Sequence, residues 1–244
     1  MTVGLFIPCY IDQFYPHVAK ATLELLEKAG CEVRFPLNQT CCGQPMANSG
    51  FEKMSTGCIR NFIDNFSDCD YIVSPSGSCS LFIKEHYPHI DHSKEVMELS
   101  DKVFELCEFL VEKDLVSSVR SRFPFKVGLH VGCHGQRGLR ICSSSELNCP
   151  SFSKVQSLLD KVEGIELVPL NRKDECCGFG GTFSVTEEAV SVKMGKDRVD
   201  DFLSNEAEFI TGTDMSCLMH LEGIIKKQKK NIQIKHLVEI LNAE

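Results

Sequence analysis

The chain reads Cys41-Cys42-Gly43 in one place and Cys176-Cys177-Gly178 in another. Each pair of adjacent cysteines lies between two more distant ones. These flanking residues are Cys9 and Cys79 in the first case, and Cys133 and Cys217 in the second. A pattern this unusual, present twice, indicates two related halves, each of which gathers four thiols around a group that needs sulfur.

Strand and helix patterns alternate around the first cysteine pair. Three short apolar runs predict strands that each lead towards a motif cysteine: residues 3–8, 32–36 and 71–73. Amphipathic periodicity predicts helices between them: residues 18–29, 50–66 and a closing helix at 103–111. Such alternation is typical of a parallel α/β unit.

The second half repeats this order. Its predicted strands again lead towards motif cysteines: residues 127–131, 166–168 and 209–211. Its predicted helices are residues 152–162, 187–203, a segment through Ile225, and a closing helix at 234–241. The offsets between matching cysteines are 124, 135 and 138 residues, which indicates a duplication with modest insertions.

We therefore predict an α/β fold made of two pseudo-symmetric, Rossmann-like halves, residues 1–118 and 119–244. The boundary is expected within residues 116–125, where serines and arginines precede Pro124. In open parallel sheets, ligands bind beyond the carboxyl ends of the strands. All motif cysteines follow predicted strands, so the thiols are expected to converge at those ends.

Composition narrows the class of protein. Of the 244 residues, 43% are hydrophobic and 25% are charged, as in soluble globular proteins. The net charge of −8 argues against nucleic acid or an anionic membrane as the main partner. No apolar run approaches the ~20 residues of a transmembrane helix, and the N-terminal segment lacks a basic signal-peptide region. We predict a cytoplasmic protein, whose fourteen cysteines are not paired as disulfides.

The cysteine spacing bears on the kind of metal. Structural zinc sites usually contain Cys-x-x-Cys, and this sequence has none. The intervals between each adjacent pair and its two flanking cysteines exceed 30 residues, so only tertiary structure brings the four ligands together. Two adjacent thiolates reach different irons of a cluster more easily than they reach one tetrahedral ion. Gly43 and Gly178 permit a tight turn that brings amide donors near the sulfurs.

Three other interpretations remain open at this point. The vicinal pairs are compatible with a cluster-free thiol–disulfide oxidoreductase. Four gathered cysteines are also compatible with a zinc-stabilised scaffold that only binds partners. The glycine-rich stretch 178–181 resembles a phosphate cradle, but no lysine or P-loop spacing accompanies it.

Longer strings around the cysteines are more specific: Cys41-Cys42-Gly43-Gln44-Pro45, Ser74-Pro75-Ser76-Gly77-Ser78-Cys79 and Cys176-Cys177-Gly178-Phe179-Gly180-Gly181-Thr182-Phe183-Ser184. Over essentially its whole length the chain resembles the cysteine-rich CCG family. That family includes the cysteine-rich subunit of heterodisulfide reductase and the iron–sulfur subunits of glycolate and glycerol-3-phosphate oxidation systems. Within it, the strings are most similar to those of its lactate-utilization members.

The resemblance implies one or two iron–sulfur clusters, of the [4Fe–4S] type, bound by Cys9, Cys41, Cys42 and Cys79 and by Cys133, Cys176, Cys177 and Cys217. It also implies an electron-transfer subunit of a complex that oxidises L-lactate to pyruvate. No Gly-x-Gly-x-x-Gly follows a strand, so a flavin or nicotinamide is expected elsewhere. The chain is accordingly expected to work beside other subunits, including a ferredoxin-like iron–sulfur protein, and not as a self-sufficient enzyme.

One departure from the family pattern limits the type of cluster. In the cysteine-rich subunit of heterodisulfide reductase each motif ends in Cys-x-x-Cys, which gives five thiols per noncubane cluster. Here Ser76 and Asp214 stand in place of the first of those cysteines. The noncubane type cannot simply be transferred, and Asp214 is predicted to cap the following helix in preference to binding iron.

Several other side chains are candidates for a role near the thiols. His130 and His134 flank Cys133 and are compatible with a ligand, a hydrogen-bond donor, a proton carrier or, for His134, a packed loop residue. Arg137 is compatible with a carboxylate or cluster contact, or with a surface salt bridge. His220 is a weaker candidate, and the basic run 226–230 is predicted to be a solvated helix end.

The remaining cysteines are predicted to be small buried hydrophobic residues: Cys31, Cys58, Cys69, Cys107, Cys142 and Cys149. Cys142 and Cys149 lie in a polar stretch, where exposure is also compatible with the sequence.

Overall fold

A computed structural model describes residues 1–118 and 120–243. Val119, which adjoins the predicted boundary between the halves, and Glu244 lie outside the described residues. The chain separates into two compact units, Met1–Ser118 and Val119–Glu244. Each unit contains a four-stranded sheet in which all neighbouring strands are parallel. The α/β prediction with two Rossmann-like halves is therefore confirmed.

The first sheet has the strand order β2-β1-β3-β4. Its strands are β1 (Thr2–Leu5), β2 (Glu32–Arg34), β3 (Tyr71–Ser74) and β4 (Val103–Glu105). Val3 of β1 pairs with Val33 on one side and with Tyr71 on the other. The central strands β1 and β3 carry mostly buried residues, because helices cover a parallel sheet.

The helices of the first unit are α1 (Cys9–Phe14), α2 (Pro16–Lys28), α3 (Gln44–Asn48), α4 (Thr56–Phe66), α5 (Gly77–Leu81), α6 (Tyr87–Ile90), α7 (Lys94–Ser100) and α8 (Leu106–Glu112). Short 3-10 segments occur at Glu52–Ser55 and Val116–Ser118, and a π-helical turn occurs at Phe82–His86. Helix α4 buries one face, formed by Ile59, Phe62 and Phe66 at helical spacing.

The second sheet repeats the topology with the order β6-β5-β7-β8. Its strands are β5 (Lys126–His130), β6 (Glu166–Leu167), β7 (Phe209–Gly212) and β8 (Gln233–His236). Its helices are α9 (Lys154–Leu159), α10 (Phe183–Thr186), α11 (Glu188–Ser204), α12 (Met215–Gln228) and α13 (Leu237–Leu241), with a π-helical turn at His134–Gly138.

The two closing helices were predicted wrongly in their first turns. Residues 103–105 form strand β4 and residues 233–236 form strand β8, and a helix begins only afterwards. The reason is an extended capping residue at each junction. The Glu105 carboxylate accepts the N–H of Cys107 at 2.7 Å, and His236 Nδ1 accepts the N–H of Val238 at 3.2 Å.

A glycine in each central strand determines how closely the covering helix approaches. A Cβ at Gly4 would lie 2.6 Å from the ring of Phe66 in α4. A Cβ at Gly128 would lie 2.2 Å from the ring of Phe202 in α11. The same contact between an aromatic ring and a strand glycine therefore aligns α4 with β1 and α11 with β5. Gly4 thus corresponds to Gly128, and Phe66 corresponds to Phe202.

The length and the apolar character of the helices bear on whether any of them crosses a membrane. Within residues 1–118 and 120–243, none of them combines the length and the apolar character needed to cross a bilayer.

Candidate metal-cluster sites

The first candidate site lies where β1, β2 and β3 end. Cys9 begins α1 directly after β1, Cys41 and Cys42 follow β2, and Cys79 lies in α5 after β3. The Sγ atoms of Cys42 and Cys79 are 3.4 Å apart. Cys41 hydrogen-bonds with both Cys9 and Cys42. The four predicted thiols of the first half therefore form one continuous group.

The second candidate site has the same construction. Cys133 follows β5, Cys176 and Cys177 follow β6, and Cys217 lies in α12 after β7. Cys176 hydrogen-bonds with Cys133 and Cys177, and Cys177 hydrogen-bonds with Cys217. All eight predicted ligands thus fall into two groups of four at the carboxyl ends of parallel strands. We call these groups the first and the second thiol site.

Proximity changes how the thiols ionise. In the first site, hydrogen bonds from Cys42 and Cys9 lower the pKa of Cys41 well below its ordinary value. The same contacts raise the pKa of Cys9 and of Cys42, and burial adds to the rise. In the second site the pKa of Cys176 is lowered by its bonds to Cys133 and Cys177. One thiolate therefore forms readily in each site, at Cys41 in the first and at Cys176 in the second.

The glycine after each cysteine pair is required by the backbone. Gly43 has φ +91 and Gly178 has φ +88, both in the left-handed region. A Cβ at Gly43 would lie 2.9 Å from Ser55 Cβ, and one at Gly178 would lie 2.7 Å from Met194 Cβ. The turn also directs the N–H of Gly43 to Cys41 Sγ at 3.5 Å and the N–H of Gly178 to Cys176 Sγ at 3.4 Å.

Ser76 and Asp214 both serve as helix caps. Ser76 Oγ accepts the N–H of Cys79 at 3.3 Å at the start of α5. Asp214 Oδ1 accepts the N–H and the hydroxyl of Ser216 at 3.1 and 2.7 Å at the start of α12. The predicted capping role of Asp214 is confirmed. Each thiol site accordingly has four sulfurs. One helix of each site, α5 in the first and α12 in the second, begins at an oxygen cap.

Aromatic rings surround the first thiol site. Cys42 and Cys79 belong to the same buried cluster as Phe6, Phe62 and Tyr87. The Phe6 and Phe62 rings meet edge to face with centroids 5.4 Å apart, and Phe62 meets Tyr87 at 5.6 Å. The Tyr87 hydroxyl donates to the backbone carbonyl of Cys42 at 2.8 Å. The buried side of the first site is therefore lined by aromatic rings, one of which carries a hydroxyl that bonds to Cys42.

Polar and cationic groups surround the second thiol site. A ring nitrogen of His130 and the Sγ atoms of Cys177 and Cys217 lie within 4.8 Å of one another. The fully buried Arg198 donates through Nε to His130 Nδ1 at 3.3 Å and pairs with Asp201 at 3.3 Å. Burial, followed by the charge of Arg198, lowers the pKa of His130 to about 3, so the imidazole is neutral.

The other candidate side chains, His134, His220 and Arg137, have different partners. His134 Nδ1 is 3.7 Å from Cys133 Sγ. His220 approaches the backbone carbonyl of Ser191 with Nε2 at 3.3 Å, and burial lowers its pKa. Arg137 forms a partly exposed ion pair with Glu146. The surface salt bridge that the sequence analysis considered for Arg137 is thus present. The contact between His134 and a motif thiol could be predicted, because His134 directly follows Cys133 in the sequence.

The cysteines outside the two sites are mostly buried, as predicted. Four are buried: Cys31, Cys69, Cys107 and Cys142. Cys58 is half-buried, and Cys149 is exposed. The prediction of burial is therefore confirmed for four cysteines and met only in part for Cys58, and at Cys149 the alternative of exposure applies.

The donor sets fit a thiolate-bound metal cluster. Each site presents four thiols, backbone N–H groups directed at sulfur, and at least one readily ionised thiol, as soft metal ions and iron–sulfur clusters require. The capping oxygens of Ser76 and Asp214 are already engaged by the helix starts. The chemistry of the residues therefore favours sulfur ligation by four cysteines at each site.

Comparison with known proteins agrees with this arrangement. The family model described as the CCG cysteine-rich domain matches the chain twice, over residues 3–84 and 127–222. The chain belongs to the CCG family. The two matches each contain one complete thiol site, so a CCG domain supplies all four sulfurs of its own site.

Full-length relatives of this CCG protein carry one name. Lactate utilization protein A of Geobacillus thermodenitrificans (strain NG80-2) is 41% identical over 247 residues, which cover 99% of each chain. Lactate utilization protein A of Shouchella clausii (strain KSM-K16) is 40% identical over 248 residues, which cover 100% of each chain. That of Geobacillus kaustophilus (strain HTA426) is 41% identical over 248 residues, with 100% and 99% covered.

Sequence reasoning missed Arg198. It lies in the middle of the long helix α11, outside any cysteine motif, and reaches His130 only because α11 packs on β5. A signal was nevertheless present. The buried face of α4 carries Phe62 one turn before Phe66, and the matching face of α11 carries Arg198 one turn before Phe202. A charged residue on an otherwise buried helical face is an indication of a specific partner.

Proposed function

We propose that this protein is the iron–sulfur electron-transfer subunit of a complex that oxidises L-lactate to pyruvate. The observation that carries the proposal is the presence of two four-thiol sites in a chain similar over its full length to proteins named lactate utilization protein A. The units 1–118 and 119–244 would be the two CCG repeats, each with its own site.

The proposed ligands are the cysteines of the two thiol sites: Cys9, Cys41, Cys42, Cys79, Cys133, Cys176, Cys177 and Cys217. Of the one or two [4Fe–4S] clusters that the family resemblance implies, the two separate sites favour two, one in each half, which would supply one-electron redox chemistry there. The protein's own contribution is to hold the thiolates after the strands and to direct the amides of Gly43 and Gly178 at sulfur. His134, beside Cys133, is the candidate for moving a proton near the second site, and Arg137 remains the candidate for a carboxylate contact.

Electron balance requires partners. Oxidation of lactate to pyruvate releases two electrons and two protons, and a one-electron carrier has to receive those electrons from a group that reacts with the substrate carbon. The sequence has no dinucleotide-binding fingerprint for such a group. The proposed partners are therefore the other subunits of the complex, including a ferredoxin-like iron–sulfur protein. We place the assembly in the cytoplasm, where reduced thiols are maintained.

A cluster-free thiol–disulfide oxidoreductase is the second candidate function. The vicinal cysteine pairs favour it, because the pKa of Cys41 and of Cys176 is lowered by hydrogen bonds from neighbouring thiols. A lowered thiol pKa increases the thiolate population that carries out disulfide exchange. This function and a zinc scaffold both predict a protein without iron.

Anaerobic purification followed by iron, sulfide and zinc assays separates these functions. We expect iron and acid-labile sulfide, with a broad visible absorption that bleaches on reduction. Iron near zero, together with full lactate-dependent activity of the assembled system, would overturn the proposal. Zinc in place of iron would support the scaffold, and disulfide formation between Cys41 and Cys42 with turnover would support the thiol–disulfide function.

A further inference from the structure

The two thiol sites differ at two matched pairs of positions beside their central strands. Phe6 lies two residues after Gly4 in the first unit, and His130 lies two residues after Gly128 in the second. The aromatic-on-glycine contacts align the covering helices in the same way, which matches Phe62 with Arg198. An edge-to-face pair of rings in the first unit is therefore replaced by a hydrogen-bonded His130–Arg198 pair in the second.

Arg198 determines which ring nitrogen of His130 carries the proton. A guanidinium group donates hydrogen bonds and never accepts them. Because Arg198 Nε donates to His130 Nδ1 at 3.3 Å, Nδ1 has to present its lone pair. A neutral imidazole has one N–H, so that proton is on Nε2. The hydrogen bond from Arg198 therefore fixes His130 as the tautomer that is protonated on Nε2.

His130 Nε2 is a buried donor that still lacks a partner. Among the described residues, this atom makes no hydrogen bond. A ring nitrogen of His130 is within 4.8 Å of the Sγ atoms of both Cys177 and Cys217. A protonated nitrogen cannot bind a metal ion through a lone pair. Of the roles open to His130, hydrogen-bond donation towards sulfur is the one that the Arg198 contact permits.

We propose that Arg198 and His130 form a positioning pair which gives the second thiol site a side-chain N–H donor beside its sulfurs, which Phe6 and Phe62 do not give the first site, so that the second centre is the easier one to reduce. This inference rests on the proposed function, because it concerns centres bound at these thiols. The donor stabilises the more negative, reduced state of the centre, and it raises the reduction potential.

Other contacts act in the same direction. In the second site the N–H of Phe179 approaches Cys177 Sγ at 3.5 Å, in addition to the Gly178 contact. Asp201 offsets part of the Arg198 charge, but the hydrogen bond that fixes the His130 tautomer does not depend on net charge. In the first site Phe6 and Phe62 offer neither a donor nor a charge to the buried Cys42.

A redox titration of the anaerobic holoprotein tests this inference. Each centre is followed by EPR with the other removed, by Cys177→Ala for the first site and Cys42→Ala for the second. We expect the second centre to have the higher midpoint potential. In the Cys42→Ala background, His130→Phe should lower that midpoint by at least ~59 mV, a tenfold change in the ratio of reduced to oxidised centre for one electron.

His130→Gln retains an N–H donor and should restore part of the loss. Phe6→Leu in the Cys177→Ala background is the matched control and should shift the first midpoint by much less. Equal midpoints in the two unaltered sites, or a second midpoint that His130→Phe leaves unchanged, would overturn the inference. If His130→Phe does not retain iron, the difference between the midpoint potentials of the two unaltered sites still tests the inference.

Pulsed EPR of protein labelled with ¹⁵N-histidine gives an independent readout. We expect a weak nitrogen coupling and an exchangeable proton at the second centre, as for a hydrogen-bond donor. A strong coupling typical of a nitrogen bound to iron would overturn the donor role, and so would the absence of any coupling. A protein without iron would instead contradict the proposed function, so the two failures are distinguishable.

Discussion

The two halves of the molecule share their geometry and differ in the surroundings of their thiols. Strand order, the position of each motif cysteine and the left-handed glycine after each pair are the same. The first site is enclosed by aromatic rings, whereas the second contains a buried arginine and a histidine. The fold thus fixes where sulfur is placed, and the residues on α4 and α11 determine the electrostatic environment of that sulfur.

The loops that precede the cysteine pairs show the same contrast. In the first half the neutral Gln39 side chain anchors the loop, by accepting the N–H of Ile7 at 2.8 Å and donating to the Pro36 carbonyl at 3.0 Å. In the second half the anchor is a buried ion pair. Asp201 accepts the N–H of Asn171 at 3.1 Å, and Arg198 donates to the carbonyl of Arg172.

The largest effect is expected from removing a central thiol of either site. Cys42→Ala or Cys177→Ala should abolish lactate-dependent electron transfer in the assembled system, because the centre in that half loses a ligand. The circular dichroism spectrum should remain that of a folded α/β protein. Cys149→Ser, at an exposed cysteine outside both sites, is the control and should retain full transfer. Unchanged transfer in both alanine variants would count decisively against the cluster assignment.

The matched helix positions are expected to differ in stability. Arg198→Met should lower the free energy of unfolding by about 3–5 kcal/mol, because Asp201 is left as a buried charge without its partner. Phe62→Leu, at the corresponding position of α4, should cost roughly 1 kcal/mol, since it changes only the packing. Urea unfolding followed by circular dichroism measures both. A cost for Arg198→Met no greater than that for Phe62→Leu would contradict the buried ion pair.

The glycine of the second turn should tolerate a side chain less well than an open glycine does. Gly178→Ala combines a left-handed φ with a contact of 2.7 Å to Met194 Cβ. Gly30→Ala has a similar φ but no atom within 4 Å of the added Cβ, so it isolates the backbone cost of about 1–2 kcal/mol. Thermal unfolding should show the larger loss of stability for Gly178→Ala. Equal losses of stability in the two variants would show that helix α11 shifts to accommodate the added methyl group.

The smallest effect, counted per unit of pH, concerns the helix caps after the fourth strands, where the halves use Glu105 and His236. Burial raises the pKa of Glu105 to about 8, from 4.5 in an unfolded chain. The contribution of Glu105 to the free energy of unfolding is therefore fully present below about pH 4.5. It falls as the pH rises towards 8, because Glu105 loses its proton in the unfolded chain at a lower pH than in the folded protein. The slope is at most ~1.4 kcal/mol per pH unit.

Glu105→Gln should remove this dependence, since the amide does not ionise. The measurement is urea unfolding at several pH values between 5 and 8. Glu95→Gln, at an exposed carboxyl in α7, serves as the control and should retain the slope. A slope that persists in Glu105→Gln would show that another group is responsible.

Much of the fold could be predicted because its signals are local. The amphipathic face of α4 and the apolar runs that became β1 and β3 are written in consecutive residues. Strands β4 and β8 were missed because three or four residues are too few for a periodicity, and each runs directly into a helix.

The candidate site divides in the same way. The convergence of the thiols could be predicted, since cysteines that follow parallel strands meet at one edge of a sheet. The contact of Arg198 with His130 could not, because it depends on how α11 lies across β5. A local motif therefore indicated the candidate ligands, while the side chains that distinguish the two sites emerged only from tertiary packing.

The central claim is that each half binds its own iron–sulfur centre. Anaerobic iron and acid-labile sulfide counts on the wild-type chain, on Cys42→Ala, on Cys177→Ala and on the variant that combines both substitutions test it most directly. We predict iron and sulfide in comparable amounts in the wild type, with each variant losing one half's share and the double variant losing all. A wild-type chain with neither iron nor sulfide, or counts that neither substitution changes, would contradict the account.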